Sequence, residues 1–182
     1  MSLVDWTEHD LGVRGEILPV VRAPHSVLAQ PAEPVDPTDP KVIQLAADLV
    51  ATMRVSPGCV GLAAPQVDVG QRVFCVDVSA HHTRARTTHG TFVVCNAEIV
   101  QATRRELGRE GCMSVPDLTG DVRRATRLVV AGTLPGSGEA VTIETDSFEA
   151  RAVQHEIDHC AGLLFVDRVA GAHAVYPRRR YL

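Results

Sequence analysis

Three features that mark other classes of protein are missing from this sequence of 182 residues. No apolar run approaches the roughly 20 residues that a membrane-spanning helix needs. The first ten residues, MSLVDWTEHD, lack the basic segment and apolar stretch of a secretory signal peptide. A basic charge is also absent, since the formal net charge is -4 and the isoelectric point is near 6.0. This charge argues against nucleic acid or an anionic membrane as the main partner.

Cysteine is present, but without the arrangement of a disulfide scaffold. Five cysteines form an odd count with no regular spacing, which fits a reducing compartment better than secretion. The apolar fraction of 45% and the charged fraction of 22% are ordinary for a globular protein. We therefore expect a cytoplasmic protein with an N-terminal extension over residues 1–16. A single domain over residues 17–182 is long enough to bury a core.

The pattern along the chain indicates an α+β fold. Asp39 is a candidate N-cap, Pro40 suits the first helical position, and apolar residues follow at helical spacing. A last helix is predicted from near Asp146, with Asp146 and Glu149 as a capping box, to Gly162. Short stretches rich in β-branched residues predict strands at 73–78, 92–95, 127–131 and 141–145. We expect antiparallel strands packed around the central C-terminal helix.

The last helix carries the sequence QHEIDH at residues 154–159. His155 and His159 lie one helical turn apart, so their imidazoles share one face and can bind the same ion. Glu156 lies beside that face, close enough to transfer a proton. This arrangement is the H-E-x-x-H signature of metal-activated hydrolysis.

A catalytic metal site usually has a third protein ligand and an open position. The extended H-E-x-x-H pattern would place that ligand at residue 165, but Phe165 cannot bind a metal ion. No glutamate follows Glu156 in the sequence, and Asp167 would need a sharp turn back towards the helix. A thiolate is the alternative ligand.

The five cysteines differ in how well they suit that role. Cys160 points about 100° away from the ligand face of the helix. Cys75 and Cys95 lie in predicted strands, where buried structural thiols are the commoner interpretation. Cys59 and Cys112 both lie in loop-like segments, which often present side chains to a site. Spacing alone favours Cys112 over Cys59 only weakly.

Three stretches together resemble the peptide deformylase family. They are GLAAPQ at residues 61–66, EGCMS at residues 110–114 and QHEIDH at residues 154–159, in the order and rough spacing of that family. The resemblance covers roughly residues 17–169, which is nearly the whole chain. One H-E-x-x-H motif would be moderate support, whereas the three motifs together make a chance match very improbable.

The resemblance implies a role for particular residues. Cys112, His155 and His159 match the metal ligands, and Glu156 matches the acid–base residue. Gln66 and the backbone N–H of Met113 match the groups that stabilise the oxyanion. The positions that match the lining of the substrate cleft are Val60, Gly61, Glu110, Gly111 and Arg151, of which Val60 and Arg151 fall at the pocket for the methionine side chain.

The resemblance also implies the activity. It is that of a hydrolase in protein biosynthesis, which removes the formyl group from N-formylmethionine of new polypeptides in the bacterial cytoplasm and releases formate. One divalent metal ion is implied, with Fe²⁺ as the native ion and Zn²⁺, Ni²⁺ or Co²⁺ as replacements. The expected partners are N-formylmethionyl nascent peptides, with a transient ribosome contact and neither a membrane nor a specific nucleic acid.

Two departures from the family pattern leave alternatives open. Cys59 stands where the family has glycine, and Met113 stands where it usually has leucine; the second change is mild, because the role belongs to the backbone. One alternative is an endopeptidase that uses Asp167 as its third ligand. Another is a non-catalytic binding protein whose cleft is narrowed by Cys59. The arginines at residues 178–180 are interpreted as a solvated basic tail.

Overall fold

The computed structural model describes residues 11–81 and 88–179. They form one antiparallel sheet with helices packed against it, which confirms the α+β prediction. The helices are α1 (Pro40–Val55) and α2 (Ser147–Cys160). The strands are β1 (Gly61–Ala63), β2 (Val73–Val76), β3 (Phe92–Cys112), β4 (Val115–Thr133), β5 (Ala140–Asp146) and β6 (Val175–Pro177).

The sheet follows the chain from β1 to β5, with each strand antiparallel to the next, and β6 pairs with β4. Strands β3 and β4 form a hairpin that is much longer than the predicted strands at 92–95 and 127–131. The middle of β3, residues 99–107, is exposed along its whole length. Because neither face of this segment is buried, it has no alternation of apolar and polar residues from which a strand could be predicted.

Helix α1 begins where the sequence predicted. The Asp39 side chain accepts a hydrogen bond from the Lys41 backbone N–H at 2.8 Å, and Pro40 occupies the first turn. The buried face of α1 packs against the inner strands, with Leu49 and Met53 in a cluster that includes residues of β1 and β2. This contact fixes one wall of the core beneath the site.

Helix α2 also begins after Asp146, but the predicted capping box is wrong. The Asp146 side chain makes no cap hydrogen bond. Glu149 is fully buried and accepts hydrogen bonds from the Thr145 hydroxyl at 2.6 Å and from the His89 backbone N–H at 2.8 Å. A buried carboxylate needs such donors more than the exposed end of a helix does, so Glu149 turns into the protein.

Gln154 fixes α2 to the long hairpin. Its amide accepts a hydrogen bond from the Ala125 backbone N–H at 3.0 Å and donates to the Ala125 carbonyl at 2.9 Å. These two bonds take the place of a neighbouring strand at Ala125 of β4, and they fix the position of α2 along the sheet. His155 and His159 are positioned by this attachment.

The predicted division into an extension and a domain stays a prediction. Residues 1–10 lie outside the described residues, but Glu16 donates its backbone N–H to the Asp48 carboxylate of α1 at 2.7 Å. Within residues 11–81 and 88–179, no helix is long and apolar enough to cross a membrane.

Candidate metal centre

Three potential metal ligands converge between α2 and the end of β3. The ligand atoms of Cys112, His155 and His159 all lie within 4.8 Å of one another. The Cys112 Sγ is 3.2 Å from the His159 Nε2, and the two imidazole rings have centroids 4.9 Å apart. Cys112 and His159 are buried and His155 is half-buried, so one side of the cluster remains accessible.

The local backbone explains how Cys112 reaches the helix. A register irregularity between Gly111 and Cys112 ends the long hairpin, and Cys112 then pairs with Val115 across a tight turn. The Ser114 backbone N–H in this turn points at the Cys112 Sγ from 3.4 Å. An irregularity of this kind redirects a side chain at the end of a strand, and here it turns the thiol towards α2.

The surroundings favour a thiolate at Cys112. Burial alone would raise its pKa, but the nearby imidazoles of His159 and His155 lower the pKa well below its ordinary value. The pKa of His155 is raised well above its ordinary value: burial opposes this, but hydrogen bonds to Cys112 and Glu110 outweigh it. A thiolate is the form of cysteine that binds metal ions.

Glu110 holds His155 from behind. Its Oε2 lies 3.0 Å from the His155 Nδ1. Burial raises the pKa of this carboxyl, but hydrogen bonds from His155 and Arg124 overcome that effect and lower it below its ordinary value. Since an ionised carboxylate can only accept, the His155 Nδ1 keeps its proton towards Glu110, and its Nε2 is the nitrogen that would give up a proton to bind a metal ion.

Glu110 is itself held by two arginines. Arg124 contacts both of its oxygens, at 2.9 Å and 3.0 Å, and Arg151 donates to Oε1 at 2.8 Å. Arg124 also pairs with Asp158, which in turn pairs with Arg168 at 2.9 Å. The carboxylate behind His155 is therefore locked in one orientation by a buried network.

Glu156 is a buried acidic group beside the ligands, and one of its two oxygens has no hydrogen-bond partner in the part of the chain that the structure describes. It is 3% exposed, and its Oε2 has no hydrogen-bond partner among the described residues. Burial raises the pKa of this carboxyl to about 7. A buried carboxylate without a donor is costly, and such a group commonly marks a place where a ligand or reactant binds.

Gln66 is a further buried polar residue that contacts Cys112. Its Nε2 is 3.4 Å from the Cys112 Sγ, and its Oε1 accepts a hydrogen bond from the Ala63 backbone N–H at 3.0 Å. Because Ala63 fixes the oxygen, the side-chain N–H groups of Gln66 must point into the site. Met113 lines the same cleft and packs its side chain against the core.

A cleft of about 650 Å³ opens onto this cluster. The residues that the sequence predicted for the site all line the cleft, except His159, which is buried behind it. Other lining residues were not predicted. Cys59, which one alternative placed in the cleft, also lines it; the others are Pro57, Gly58, His81, Arg109, Thr119, Phe148, Ala152, Tyr176, Pro177, Arg178 and Arg179. The last four follow the final motif by more than fifteen residues, and Arg178 and Arg179 among them were interpreted as part of a solvated basic tail.

Arg151 lines the cleft, and its guanidinium is held by several acceptors. It donates to the carbonyls of Val122 at 2.9 Å and Glu106 at 3.0 Å, besides Glu110. A Cβ at Gly108 would come within 2.7 Å of the guanidinium, so the missing side chain there makes room for Arg151. The sequence predicted Arg151 for the cleft but not its pairing with Gly108.

Cys59 and Asp167 carried the alternative hypotheses. Cys59 is half-buried, and its Sγ donates to the Gly61 carbonyl at 3.1 Å, within its own segment. Burial raises the pKa of this thiol to about 12, which makes it a poor ligand and a poor nucleophile. The Asp167 carboxylate accepts a hydrogen bond from the Leu164 backbone N–H at 2.8 Å. It is outside the ligand cluster.

One thiolate and two imidazoles, with one open side, fit a divalent transition metal ion. The unpartnered oxygen of Glu156 beside them supports this fit, since a reactant water can satisfy it. The donor set suits zinc and the neighbouring first-row metals, and the geometry does not choose among them.

Comparison with known proteins gives a consistent result. Residues 17–174 match the family described as polypeptide deformylase. The chain is 39% identical over 153 residues to a peptide deformylase of Halothermothrix orenii, covering 84% of this chain and 94% of that protein. It is similarly 38% identical over 153 residues to peptide deformylase 1 of Bacillus cereus, covering 84% of this chain and 92% of that one.

Solved structures agree with the sequence relatives. The peptide deformylase of Thermotoga maritima has a TM-score of 0.76 and 32% identity, and the match covers 86% of this chain and 99% of that one. A class I type b enzyme of Acinetobacter baumannii, solved with Met-Ala-Ser bound, has a TM-score of 0.74 and 36% identity, with coverage of 85% and 99%.

Proposed function

Since this chain belongs to the peptide deformylase family, we propose that its cleft hydrolyses the N-terminal formamide of formylmethionyl peptides at Cys112, His155, His159 and Glu156. Peptide deformylase is the enzyme activity of the family, and it is the activity of this chain. The observation that carries the proposal is the convergence of one sulfur and two imidazole nitrogens within 4.8 Å. This activity takes the place of the non-catalytic and endopeptidase alternatives.

The three ligands hold one divalent metal ion, and Fe²⁺ is our proposal for the native ion, with Zn²⁺, Ni²⁺ and Co²⁺ as replacements. When bound, such an ion supplies Lewis acidity, which makes water a nucleophile at neutral pH. The protein's own contribution is to fix the ligands. Glu110 orients His155, and the turn at Ser114 orients the Cys112 thiolate.

Glu156 transfers the proton. Its carboxylate takes a proton from the attacking water and delivers it to the nitrogen of the departing peptide, which cannot leave as an amide anion. Its pKa of about 7 suits a group that both gains and loses a proton at neutral pH. Burial at 3% exposure keeps bulk water away from this exchange.

Gln66 and Met113 stabilise the developing negative charge on the formyl oxygen. The Gln66 side-chain N–H groups point into the site because the Ala63 backbone N–H occupies the amide oxygen. The Met113 backbone N–H lies on the turn that carries Cys112. One such donor is worth about 3 to 4 kcal/mol in other hydrolases.

The cleft beside these residues takes the peptide. Val60 and the stem of Arg151 line a pocket for the methionine side chain, and Gly61, Glu110 and Gly111 line the path of the backbone. The Met-Ala-Ser bound to the Acinetobacter baumannii enzyme supports a short methionyl peptide as the occupant of this cleft. Formylated nascent peptides are the proposed substrates, while a transient ribosome contact and a location in the bacterial cytoplasm remain predictions.

The proposal is tested by formate release from formyl-Met-Ala-Ser under anaerobic conditions, with metal analysis of the same sample. Glu156→Gln is expected to bind metal but to release formate about 100- to 10,000-fold more slowly. Glu144→Gln, an exposed change on β5, is the matched control and is expected to behave as the unmodified enzyme. Wild-type turnover in Glu156→Gln, or cleavage of internal bonds in unformylated peptides, would contradict the proposal.

A further inference from the structure

The C-terminal strand β6 lies outside the residues that match the family, which end at residue 174. It nevertheless forms part of the cleft through Tyr176 and Pro177, and Arg178 and Arg179 directly after it line the same space. Strand β6 pairs with β4 through Leu118 and Pro177, Thr119 and Tyr176, and Gly120 and Val175. The Arg178 backbone N–H extends the pairing by donating to the Asp117 carbonyl at 2.8 Å.

The register places two basic side chains, Arg109 of β3 and Arg178 directly after β6, on one face. Thr119 pairs with Gly111 of β3 on one side and with Tyr176 of β6 on the other. Alternate residues of a strand share a face, so Arg109 lies on the face of Gly111, and Arg178 lies on the face of Tyr176. This is the face that carries the cleft.

A side-chain cluster fastens β6 to the hairpin. Arg109 lies over the Tyr176 ring, 3.9 Å from its centroid, and pairs with Asp121 at 2.6 Å. The Tyr176 hydroxyl donates to the other oxygen of Asp121 at 3.2 Å. This cluster connects β3, β4 and β6 through Arg109, Asp121 and Tyr176. It fixes the position of β6 at the side of the cleft.

Gly111 leaves room for the Arg178 side chain at the edge of the cleft. The Arg178 guanidinium occupies the position where a Cβ of residue 111 would be. Gly111 directly precedes the ligand Cys112, so this positive charge lies at the edge of the path proposed for the peptide. Among the described lining residues, the acidic side chains are Glu110 and Glu156, at 7% and 3% exposure, whereas Arg179 is exposed; Arg109 is also exposed, but it is paired with Asp121.

We propose that β6 is a specificity element, and that Arg178 makes the enzyme favour formylated peptides with a carboxylate in the second or third residue. This inference rests on the proposed function, because it assumes that the peptide lies in this cleft. The carboxylate can belong to an Asp or Glu side chain, or to the C-terminus of a very short peptide. An ion pair of this kind in an exposed cleft raises kcat/KM by roughly two- to fivefold, and salt weakens it.

The test compares kcat/KM for amidated peptides that differ only in Asp against Asn. The pairs are formyl-Met-Asp-Ala against formyl-Met-Asn-Ala, and formyl-Met-Ala-Asp against formyl-Met-Ala-Asn. The unmodified enzyme is expected to favour Asp at one of these positions by roughly two- to fivefold, through KM, at low salt. A free-acid formyl-Met-Ala-Ala compared with its amide measures the contribution of the chain terminus separately.

In Arg178→Gln, the ratio of kcat/KM for the Asp peptide to that for the Asn peptide is expected to fall close to one. Arg178→Lys, which keeps the positive charge, is expected to retain most of the wild-type ratio. Arg105→Gln, an exposed change on β3 outside the cleft lining, is the matched control and should keep the wild-type ratio. Binding of unformylated Met-Ala-Asp amide and Met-Ala-Asn amide, measured by calorimetry, gives the same comparison without turnover. The thermal midpoint of each variant shows whether β6 still packs.

Several outcomes would overturn the inference. One is an Asp-to-Asn ratio of one in the unmodified enzyme, and another is an unchanged ratio in Arg178→Gln. A third is faster turnover of all peptides in Arg178→Gln, because Arg178 would then obstruct the cleft instead of recognising a charge. If neither the Asp peptides nor the Asn peptides release formate, the proposed function fails; if both are hydrolysed at the same kcat/KM, only the role of Arg178 fails.

Discussion

Replacing Glu110 by Gln tests how the buried network supports the site. All four contacts of the carboxylate come from donors: Arg124 and Arg151 at Oε1, and Arg124 and His155 at Oε2. A glutamine amide has one accepting oxygen and one donating NH₂ group. Whichever way it turns, its NH₂ faces donors, and one set of contacts is lost.

The magnitude follows from burial. The Glu110 side chain is 5% exposed, so solvent does not screen the loss. Removing one partner of a buried ion pair costs about 3 to 5 kcal/mol, and we expect the lower value because Arg124 keeps its pair with Asp158. For a protein of this size, about 3 kcal/mol lowers the thermal midpoint by roughly 6 to 12 °C. Loss of the His155 partner should also weaken metal binding about 10- to 100-fold.

Two assays separate these effects. Thermal unfolding with excess chelator measures the loss of stability, and competition with a coloured chelator measures metal affinity. Glu98→Gln is the matched control, since its ion pair with Arg72 spans 3.9 Å and its side chain is 75% exposed; it should change stability by less than about 0.5 kcal/mol. The reasoning is refuted if Glu110→Gln unfolds at the same temperature as Glu98→Gln.

Two further variants examine the cleft wall and a distant ion pair. In Gly61→Ala, the new Cβ would lie 2.5 Å from the Glu156 Oε1, so the rate of formate release should fall about 100-fold. Gly70→Ala is the control, because a Cβ there meets open space, and it should leave the rate unchanged. The hydrogen bond to Glu149 raises the pKa of His89. His89→Gln should therefore lower the free energy of unfolding, measured in urea, by more below about pH 6.5 than at pH 9. A decrease that is the same at both pH values would contradict this.

Much of the helical framework could be predicted because its signals are local. The Asp39 cap and the apolar spacing of α1 need only neighbouring residues. The spacing of His155 and His159 on one turn is equally local, and the structure places both at the cluster. The capping box at Asp146 failed because Glu149 has partners distant in sequence, His89 among them.

The strands and the third ligand depend on contacts that spacing does not reveal. The exposed part of β3 is extended because β4 pairs with it, and its own residues carry no pattern. The choice of Cys112 over Cys59 depends on the irregularity at Gly111, which redirects one thiol towards α2. Only the combination of three motifs predicted that choice.

The order of these parts along the chain has a consequence for biosynthesis. Cys112 contacts His159, which lies 47 positions later, so the ion-binding cage is complete only when α2 has emerged. Strand β6 begins at Val175, after every residue of that cage. The residues proposed for catalysis are therefore synthesised before the strand proposed for selectivity, and a chain halted between residues 159 and 175 would contain the first set without the second.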